Sequence, residues 1–157
     1  MTSSDTTAGP EPKRQIGAGG DAFLQAAWLL AVVATLGSLF FGEVMKLTPC
    51  SLCWYQRICL FPLTAVLAAG IVLHDERVLC YSLPLVLVGL AIAVYHNLLD
   101  YDLIAEELVP CTEGVPCSAR PIEWLGFVTI PLLSLLTFAS ILACLLAHRS
   151  RLAKGRA

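Results

Sequence analysis

The sequence predicts an all-α membrane protein in which four transmembrane helices form one bundle. Hydrophobic residues make up 57% of the 157 residues and charged residues only 14%, whereas about a quarter of the residues in a soluble domain are charged. The mean hydropathy is +0.76. Four long runs are almost free of charge, and about 20 apolar residues suffice for a helix to cross a bilayer. Open strands are excluded as spanning elements because they would leave backbone groups unsatisfied in lipid.

The length of the chain suits a single domain, which we place at residues 21–148. Residues 1–20 are rich in Gly, Pro, Ser and Thr, a composition typical of a disordered tail. Residues 149–157 form a short basic tail. The formal net charge of −2 gives no indication of nucleic-acid binding.

The predicted helices follow the apolar runs in chain order, at about 22–42, 54–73, 78–99 and 124–147. Arg57 is the only charged residue inside any of these runs. Prolines within the runs are tolerated in packed membrane helices. The first run exceeds the roughly 7–15 apolar residues of a signal peptide and has no A-x-A-like cleavage site, so we expect it to be retained.

Positive charges predict the orientation of the bundle. Four spans put the N-terminus, the 74–77 turn and the C-terminus on one side, which carries seven of the ten Lys and Arg residues. The other side has the 43–53 and 100–123 loops and only Lys46, Arg120 and the border residue Arg57. We therefore expect a multi-pass cell-membrane protein with both termini in the cytoplasm and these two loops on the extracytoplasmic face.

The seven cysteines fall into two groups by predicted depth. Both loop pairs face the oxidising side of the membrane, where disulfides persist; they are Cys50 with Cys53, and Cys111 with Cys117. The other three lie within predicted helices, where free cysteine usually serves as a small packing residue; they are Cys59, Cys80 and Cys144.

The loop cysteines also allow two interpretations without redox chemistry, structural disulfides and a zinc site. Disulfides within each pair would close very short rings and stabilise the fold by roughly 2 kcal/mol each, while bridges between the two loops would constrain more. Four cysteines allow three pairings, and sequence alone does not choose among them. A zinc site built from all four is disfavoured by the oxidising compartment and by the unequal spacings, so no metal is expected.

A redox function fits the Cys50 and Cys53 pair better. C-x-x-C is a redox spacing, and a helix N-terminus favours the thiolate form of Cys53. Arg57 follows at i+4 on the same helix face and adds a permanent positive charge, although an arginine at this depth also suits snorkelling to headgroups. The chain has no G-x-G-x-x-G or P-loop motif for a flavin or nucleotide, so a quinone in the bilayer is the remaining electron acceptor.

Weaker candidates surround these residues. Tyr95, His96 and Asn97 lie at the outer end of the third helix, where His96 would line a quinone pocket or carry a proton, or would be an ordinary interfacial residue. Glu43 is a candidate proton carrier near the outer end of the first helix. Prolines and a glycine around Cys111 and Cys117 predict an exposed turn-rich loop, which suits thiol–disulfide exchange with another protein.

Several stretches together carry a family resemblance: 36–41, 49–57, Pro62, 114–118 and 124–131. On these residues the chain resembles the DsbB family of disulfide bond formation proteins, in particular its short-loop Gram-positive form, BdbC. The resemblance covers nearly the whole chain after residue 22. Cys59 lies outside the cysteines common to the family.

The resemblance implies a four-helix thiol:quinone oxidoreductase. It implies that Cys50 and Cys53 are the quinone-proximal pair, that Cys53 interacts with the quinone, and that Arg57 is the quinone-site arginine. Cys111 and Cys117 match the partner-facing pair, with Cys111 the first point of attack. The implied partner is a thioredoxin-fold thiol oxidase of the DsbA or BdbD type.

We therefore expect an electron relay that supports disulfide bond formation. Electrons would pass from the partner to the Cys111–Cys117 disulfide, then to Cys50–Cys53, and finally to ubiquinone or menaquinone. One alternative is an enzyme like vitamin K epoxide reductase, although that family has its C-x-x-C near a later helix. Another is a non-enzymatic membrane protein with structural disulfides.

Overall fold

The computed structural model describes residues 18–46, 50–75, 77–101, 103 and 129–156. Four long helices run through these residues: α1 (Ala18–Leu39), α2 (Ser51–Leu73), α3 (Val78–Asp100) and α4 (Ile130–Arg156). A π-helical segment, Phe40–Val44, continues α1. All four spans are long and apolar enough to cross a membrane, and the described residues contain no strand. The predicted fold class, a four-helix membrane bundle, is confirmed.

The helices pack in a ring. Each contacts the next in the chain, and α1 closes the ring against α4. At one end the Arg151 guanidinium of α4 lies 5.8 Å from the ring centroid of Phe23 in α1. At the other end the Asn97 side chain of α3 donates to the Pro131 carbonyl of α4 at 2.8 Å. The start of α1 and the end of α4 are therefore at one end of the bundle, and the start of α4 is at the other.

The bundle interior is apolar and closely packed. Its most buried large side chains come from α2, α3 and α4: Leu63, Leu67, Val86, Phe138, Ile141 and Leu145. Many other large apolar side chains point outward and are more than half exposed, among them Val33, Ile58 and Leu136. An apolar outer surface is expected of a bundle surrounded by lipid, because lipid tails solvate such side chains as well as the protein interior does.

Two helix boundaries differ from the sequence prediction. Helix α2 begins at Ser51, three residues before the predicted start at residue 54, because Cys50 acts as its N-cap. The fourth helix was predicted from residue 124, and this start is wrong: Thr129 is not helical and α4 begins at Ile130. The Leu132 amide donates to Thr129 Oγ1 at 3.4 Å, so threonine caps the helix. Residues 124–128 lie outside the described residues.

The end of α4 is longer than predicted. The helix continues to Arg156, so the basic residues of the 149–157 tail lie on its last two turns. Cations near a helix C-terminus interact favourably with the helix dipole. The predicted tail at 1–20 falls almost entirely on residues outside the described part, since α1 begins at Ala18.

Candidate active site

The C-x-x-C pair occupies the first turn of α2. Cys50 is the N-cap, with extended backbone dihedrals, and its carbonyl accepts the first helical hydrogen bond from the Trp54 amide at 3.2 Å. Cys53, predicted at the boundary between the first outer loop and the second helix, is within the first turn of that helix. The two Sγ atoms share a hydrogen bond at 3.0 Å. The helix start therefore holds both thiols side by side.

A histidine from a different helix lies beside the two cysteines. His96 lies near the end of α3, and its Nε2 atom is 3.8 Å from Cys50 Sγ. Both side chains are buried, His96 with 2% and Cys50 with 8% of their surface exposed. The structure therefore brings together three of the predicted site residues, Cys50, Cys53 and His96.

Gln56 contacts the other ring nitrogen of His96, and it was not among the residues predicted from the sequence. Its Nε2 lies 3.4 Å from His96 Nδ1, and its side chain is 7% exposed. When the Gln56 amide donates to Nδ1, the neutral imidazole carries its proton on Nε2, which then faces Cys50. The only sequence signal was a glutamine three residues after Cys53, a spacing that puts both on one face of α2.

These contacts make Cys50, which precedes the α2 span, the acidic thiol of the pair. A hydrogen bond from the Cys53 thiol, aided by His96 and opposed by burial, lowers the pKa of Cys50 from 9.0 to about 4. While both cysteines are protonated, Cys50 Sγ donates to Cys53 Sγ. Once Cys50 is ionised, the Cys53 thiol donates to it instead. The helix dipole and Arg57 alone predict the thiolate at Cys53, whereas the histidine from α3 lies beside Cys50.

This pKa predicts the pH dependence of the thiolate. A lowered pKa means that reduced Cys50 stays ionised as the pH falls from neutrality until about 4. The stability that this ionisation contributes is complete only above the ordinary value of 9.0, declines steadily as the pH falls below that value, and is gone below about 4. The measurement is thiolate ultraviolet absorbance of the reduced protein carrying Cys111→Ser and Cys117→Ser. Loss of the Cys50 signal with a midpoint near the ordinary value of 9.0 would contradict the prediction.

Arg57 binds the first helix. Its Nε donates to Ser38 Oγ at 2.7 Å and its Nη2 donates to the Ser38 carbonyl at 2.6 Å. The guanidinium also lies 5.6 Å from the ring centroid of Trp54, within cation–π distance. Gly42, in the π-helical segment, leaves room for it, since a Cβ there would lie 2.8 Å from Arg57 Nη2. The predicted quinone-site arginine therefore also links α1 to α2, through a serine that sequence reasoning missed.

A small apolar cluster surrounds the cysteine pair. Cys50, Leu52 and Leu99 form its buried centre, and Tyr95 packs against it. The Tyr95 hydroxyl oxygen is buried and has no hydrogen-bond partner within the described ranges. Asn97 has a structural role instead, since its side-chain nitrogen donates to Pro131 and to the Ala93 carbonyl.

The remaining predicted residues lie elsewhere. Cys111 and Cys117 are outside the described residues. Glu43 is exposed on the π-helical segment. Cys59 is buried in the core and Cys144 packs against it, as predicted for packing cysteines, whereas Cys80 is exposed on the outer surface of α3.

Comparisons with known proteins point to one family. A sequence model of the family described as disulfide bond formation protein DsbB matches residues 21–148. Disulfide bond formation protein C of Bacillus subtilis is 44% identical over 126 residues, covering 79% of this chain and 91% of the relative. A probable disulfide formation protein C 1 of Bacillus anthracis is 42% identical, covering 77% and 87%. A probable disulfide formation protein of Metapseudomonas resinovorans is 43% identical, covering 82% and 90%. No solved structure matches the chain significantly.

Proposed function

The chain belongs to the DsbB family of disulfide bond formation proteins, and we propose that it is a thiol:quinone oxidoreductase of the cell membrane. It reoxidises a thioredoxin-fold thiol oxidase of the DsbA or BdbD type and passes the electrons to ubiquinone or menaquinone. The observation that carries this proposal is the group formed by buried Cys50 and His96 with half-buried Cys53. One thiol of this pair is acidic, and the pair lies among apolar side chains at one end of a membrane bundle. Such a dithiol suits electron exchange with a lipid-soluble acceptor.

The electron path is a sequence of exchanges. The partner dithiol reduces the Cys111–Cys117 disulfide and leaves oxidised. The new dithiol then reduces Cys50–Cys53, each exchange proceeding by thiolate attack on a sulfur. A bound quinone supplies the final oxidation by accepting two electrons and two protons and leaving as quinol. Each cycle therefore makes one disulfide in the partner for one quinone consumed.

Cys50 and His96 have complementary roles in this cycle. A thiol of low pKa is a good leaving group in thiol–disulfide exchange, so Cys50 is suited to be released when the loop pair regains its disulfide. The His96 Nε2–H, oriented by Gln56, stabilises the departing thiolate. Cys53 holds the proton of the shared hydrogen bond in the dithiol and must release it to react as a thiolate. The adjacent Cys50 sulfur then closes the disulfide.

The side chains near the pair fit a quinone. A quinone has an apolar ring and two carbonyl oxygens that accept hydrogen bonds. Arg57 lies within the second membrane span and supplies charged hydrogen-bond donors there. An ionisable residue within a span is a functional candidate. The buried Tyr95 hydroxyl, which lacks a partner among the described residues, supplies a second donor.

We also propose the orientation predicted from the charges, with both termini in the cytoplasm. The end of the bundle where Arg151 meets Phe23 also carries Arg149 and Lys154 on α4. The redox pair lies at the opposite end, beside the start of α4. Positive residues favour the cytoplasmic side, so the cysteines face the oxidising compartment. Family membership favours this function over an enzyme like vitamin K epoxide reductase and over purely structural disulfides.

A reconstituted reaction tests the function. The full chain in lipid nanodiscs is mixed with a quinone and a reduced DsbA-type oxidase, and quinone absorbance and partner thiols are followed together. We expect equimolar loss of quinone and gain of partner disulfide. Partner oxidation without quinone loss, or no oxidation of either kind, would refute the proposal. Chain alkylated in its reduced state provides the control for direct reaction between partner and quinone.

Removing the support of the histidine is expected to slow this reaction. Gln56→Leu leaves His96 Nδ1 without its amide partner, so the imidazole loses its fixed tautomer and orientation. We expect quinone reduction to slow by about ten- to a hundredfold, part of the usual contribution of a positioned acid–base group. Gln25→Leu, which changes an exposed glutamine of α1, is the matched control. Equal rates in both variants would argue against a role for Gln56.

A further inference from the structure

The redox pair and its histidine also have the composition of a metal site. The two Sγ atoms and a ring nitrogen of His96 all lie within 4.8 Å of one another. Two thiolates and an imidazole are the ligands preferred by Zn²⁺ and related thiophilic cations. The loop-cysteine zinc site that the sequence disfavoured is a different one, because it did not include a histidine 43 residues beyond Cys53 in the chain.

The geometry requires only a small adjustment. Zn–S and Zn–N bonds of roughly 2.3 and 2.0 Å in a tetrahedron put two sulfurs about 3.8 Å apart and a sulfur about 3.5 Å from the nitrogen. The Cys50 Sγ to His96 Nε2 distance is already 3.8 Å, while the two sulfurs are 3.0 Å apart. Turning the half-buried Cys53 side chain away from Cys50 and toward the His96 ring would open that distance and shorten the one between Cys53 Sγ and the ring nitrogen, which is within 4.8 Å.

The charge balance favours a divalent cation in this buried position. A neutral imidazole and two thiolates cancel a charge of +2, so the loaded site has no net charge to desolvate. A bare pair of thiolates would carry two negative charges in the same apolar surroundings. The Arg57 guanidinium, bonded to Ser38, would not have to leave its place.

Gln56 can serve the metal-bound histidine as well as the free one. Metal binding needs the Nε2 lone pair, which puts the ring proton on Nδ1. Rotation of the Gln56 amide by half a turn presents its carbonyl oxygen to that proton in place of its nitrogen. Such outer partners orient ligating histidines and raise their affinity for the metal.

We propose that Cys50, Cys53 and His96 of the reduced protein bind one thiophilic divalent cation such as Zn²⁺, with a fourth position left for water. Binding releases thiol protons to solvent and involves no change of oxidation state. The disulfide form has no thiolates, so the cation binds only the reduced form. The metal-bound cysteines then cannot pass electrons to the quinone. That inhibition rests on the proposed function, whereas the binding itself does not.

The test is a titration of the reduced full-length protein carrying Cys111→Ser and Cys117→Ser, which removes the second dithiol. Cd²⁺ is followed by its thiolate charge-transfer absorbance in the ultraviolet, and Zn²⁺ is added as a competitor. We expect one Cd²⁺ per chain, displaced by Zn²⁺ and absent after oxidation of the pair. His96→Ala is expected to weaken binding at least about tenfold, and His74→Ala, at an exposed turn, to leave it unchanged.

Two outcomes would overturn the proposal. One is equal Cd²⁺ affinity with and without His96, which would mean that the dithiol alone chelates the cation. The other is the absence of charge-transfer absorbance while both thiols react with a thiol reagent. Co²⁺ gives a readout that needs no His96 variant: intense visible bands of a tetrahedral sulfur–nitrogen site support the proposal, and weak octahedral bands refute it. Quinone reduction in metal-free buffer is measured separately, so a failure of the proposed function is distinguished from a failure of metal binding.

Discussion

Cys53→Ser is expected to abolish quinone reduction. Serine keeps the size of the side chain and the helix start but cannot form a disulfide with Cys50 or deliver two electrons. The neighbouring groups act on one reaction, so removing a member of the unit is expected to cost at least about a thousandfold in turnover. The measurement is quinone absorbance in nanodiscs with a reduced DsbA-type oxidase as electron donor.

A matched substitution separates the loss of chemistry from the loss of structure. Cys80→Ser makes the same atomic change on the exposed surface of α3, and we expect it to keep full turnover. Both proteins should have the same helical circular dichroism and elute identically in size exclusion. Undiminished quinone reduction by Cys53→Ser would remove Cys53 from the electron path and leave Cys50 and the loop pair to be tested in its place.

Gly89→Val is expected to destabilise the bundle strongly. A Cβ at Gly89 would lie 2.5 Å from Cζ of Phe138 and closer still to Cε1. Phe138 is 1% exposed, so its ring has little space into which to move. Overpacking of this kind costs about 1–3 kcal/mol, and here it would force α3 and α4 apart. Small residues are the usual means by which membrane helices approach closely.

The same substitution elsewhere provides the control. Gly37 in α1 has no atom within 4 Å of the position of an added Cβ, so Gly37→Val is expected to leave stability almost unchanged. Thermal unfolding in detergent, followed by circular dichroism, compares the two. Adding Phe138→Leu to Gly89→Val should recover part of the loss, since the smaller side chain vacates the space. Equal melting of the two valine variants would contradict the close α3–α4 contact.

The spans were predictable because lipid imposes a simple rule on composition. A helix that crosses the bilayer must be apolar along about 20 residues, and this chain meets the rule four times with little ambiguity. The helix ends were less predictable, because they depend on single hydrogen bonds. Thr129 lies within the fourth apolar run and caps the start of α4, although nothing in hydropathy distinguishes it from its neighbours.

The candidate site was predicted in part. The C-x-x-C spacing identified Cys50 and Cys53, and the position of His96 at the outer end of its helix marked it as a weaker candidate. The sequence assigned the acidic thiol to Cys53 from effects within one helix. The contacts in the structure favour Cys50 instead, because the ionised N-cap sulfur accepts a hydrogen bond from the Cys53 thiol and also faces a histidine from α3.

Sequence alone therefore determined the membrane class, the number of helices, the redox spacing and the family of this protein, all of which depend on residue type and local order. Only the tertiary structure decided which side chains meet across helices. It paired Arg57 with Ser38, placed Gln56 under His96 and brought His96 to Cys50. These contacts join residues 19 to 46 positions apart, and they depend on the rotation of each helix about its axis, which is set by packing of the whole bundle.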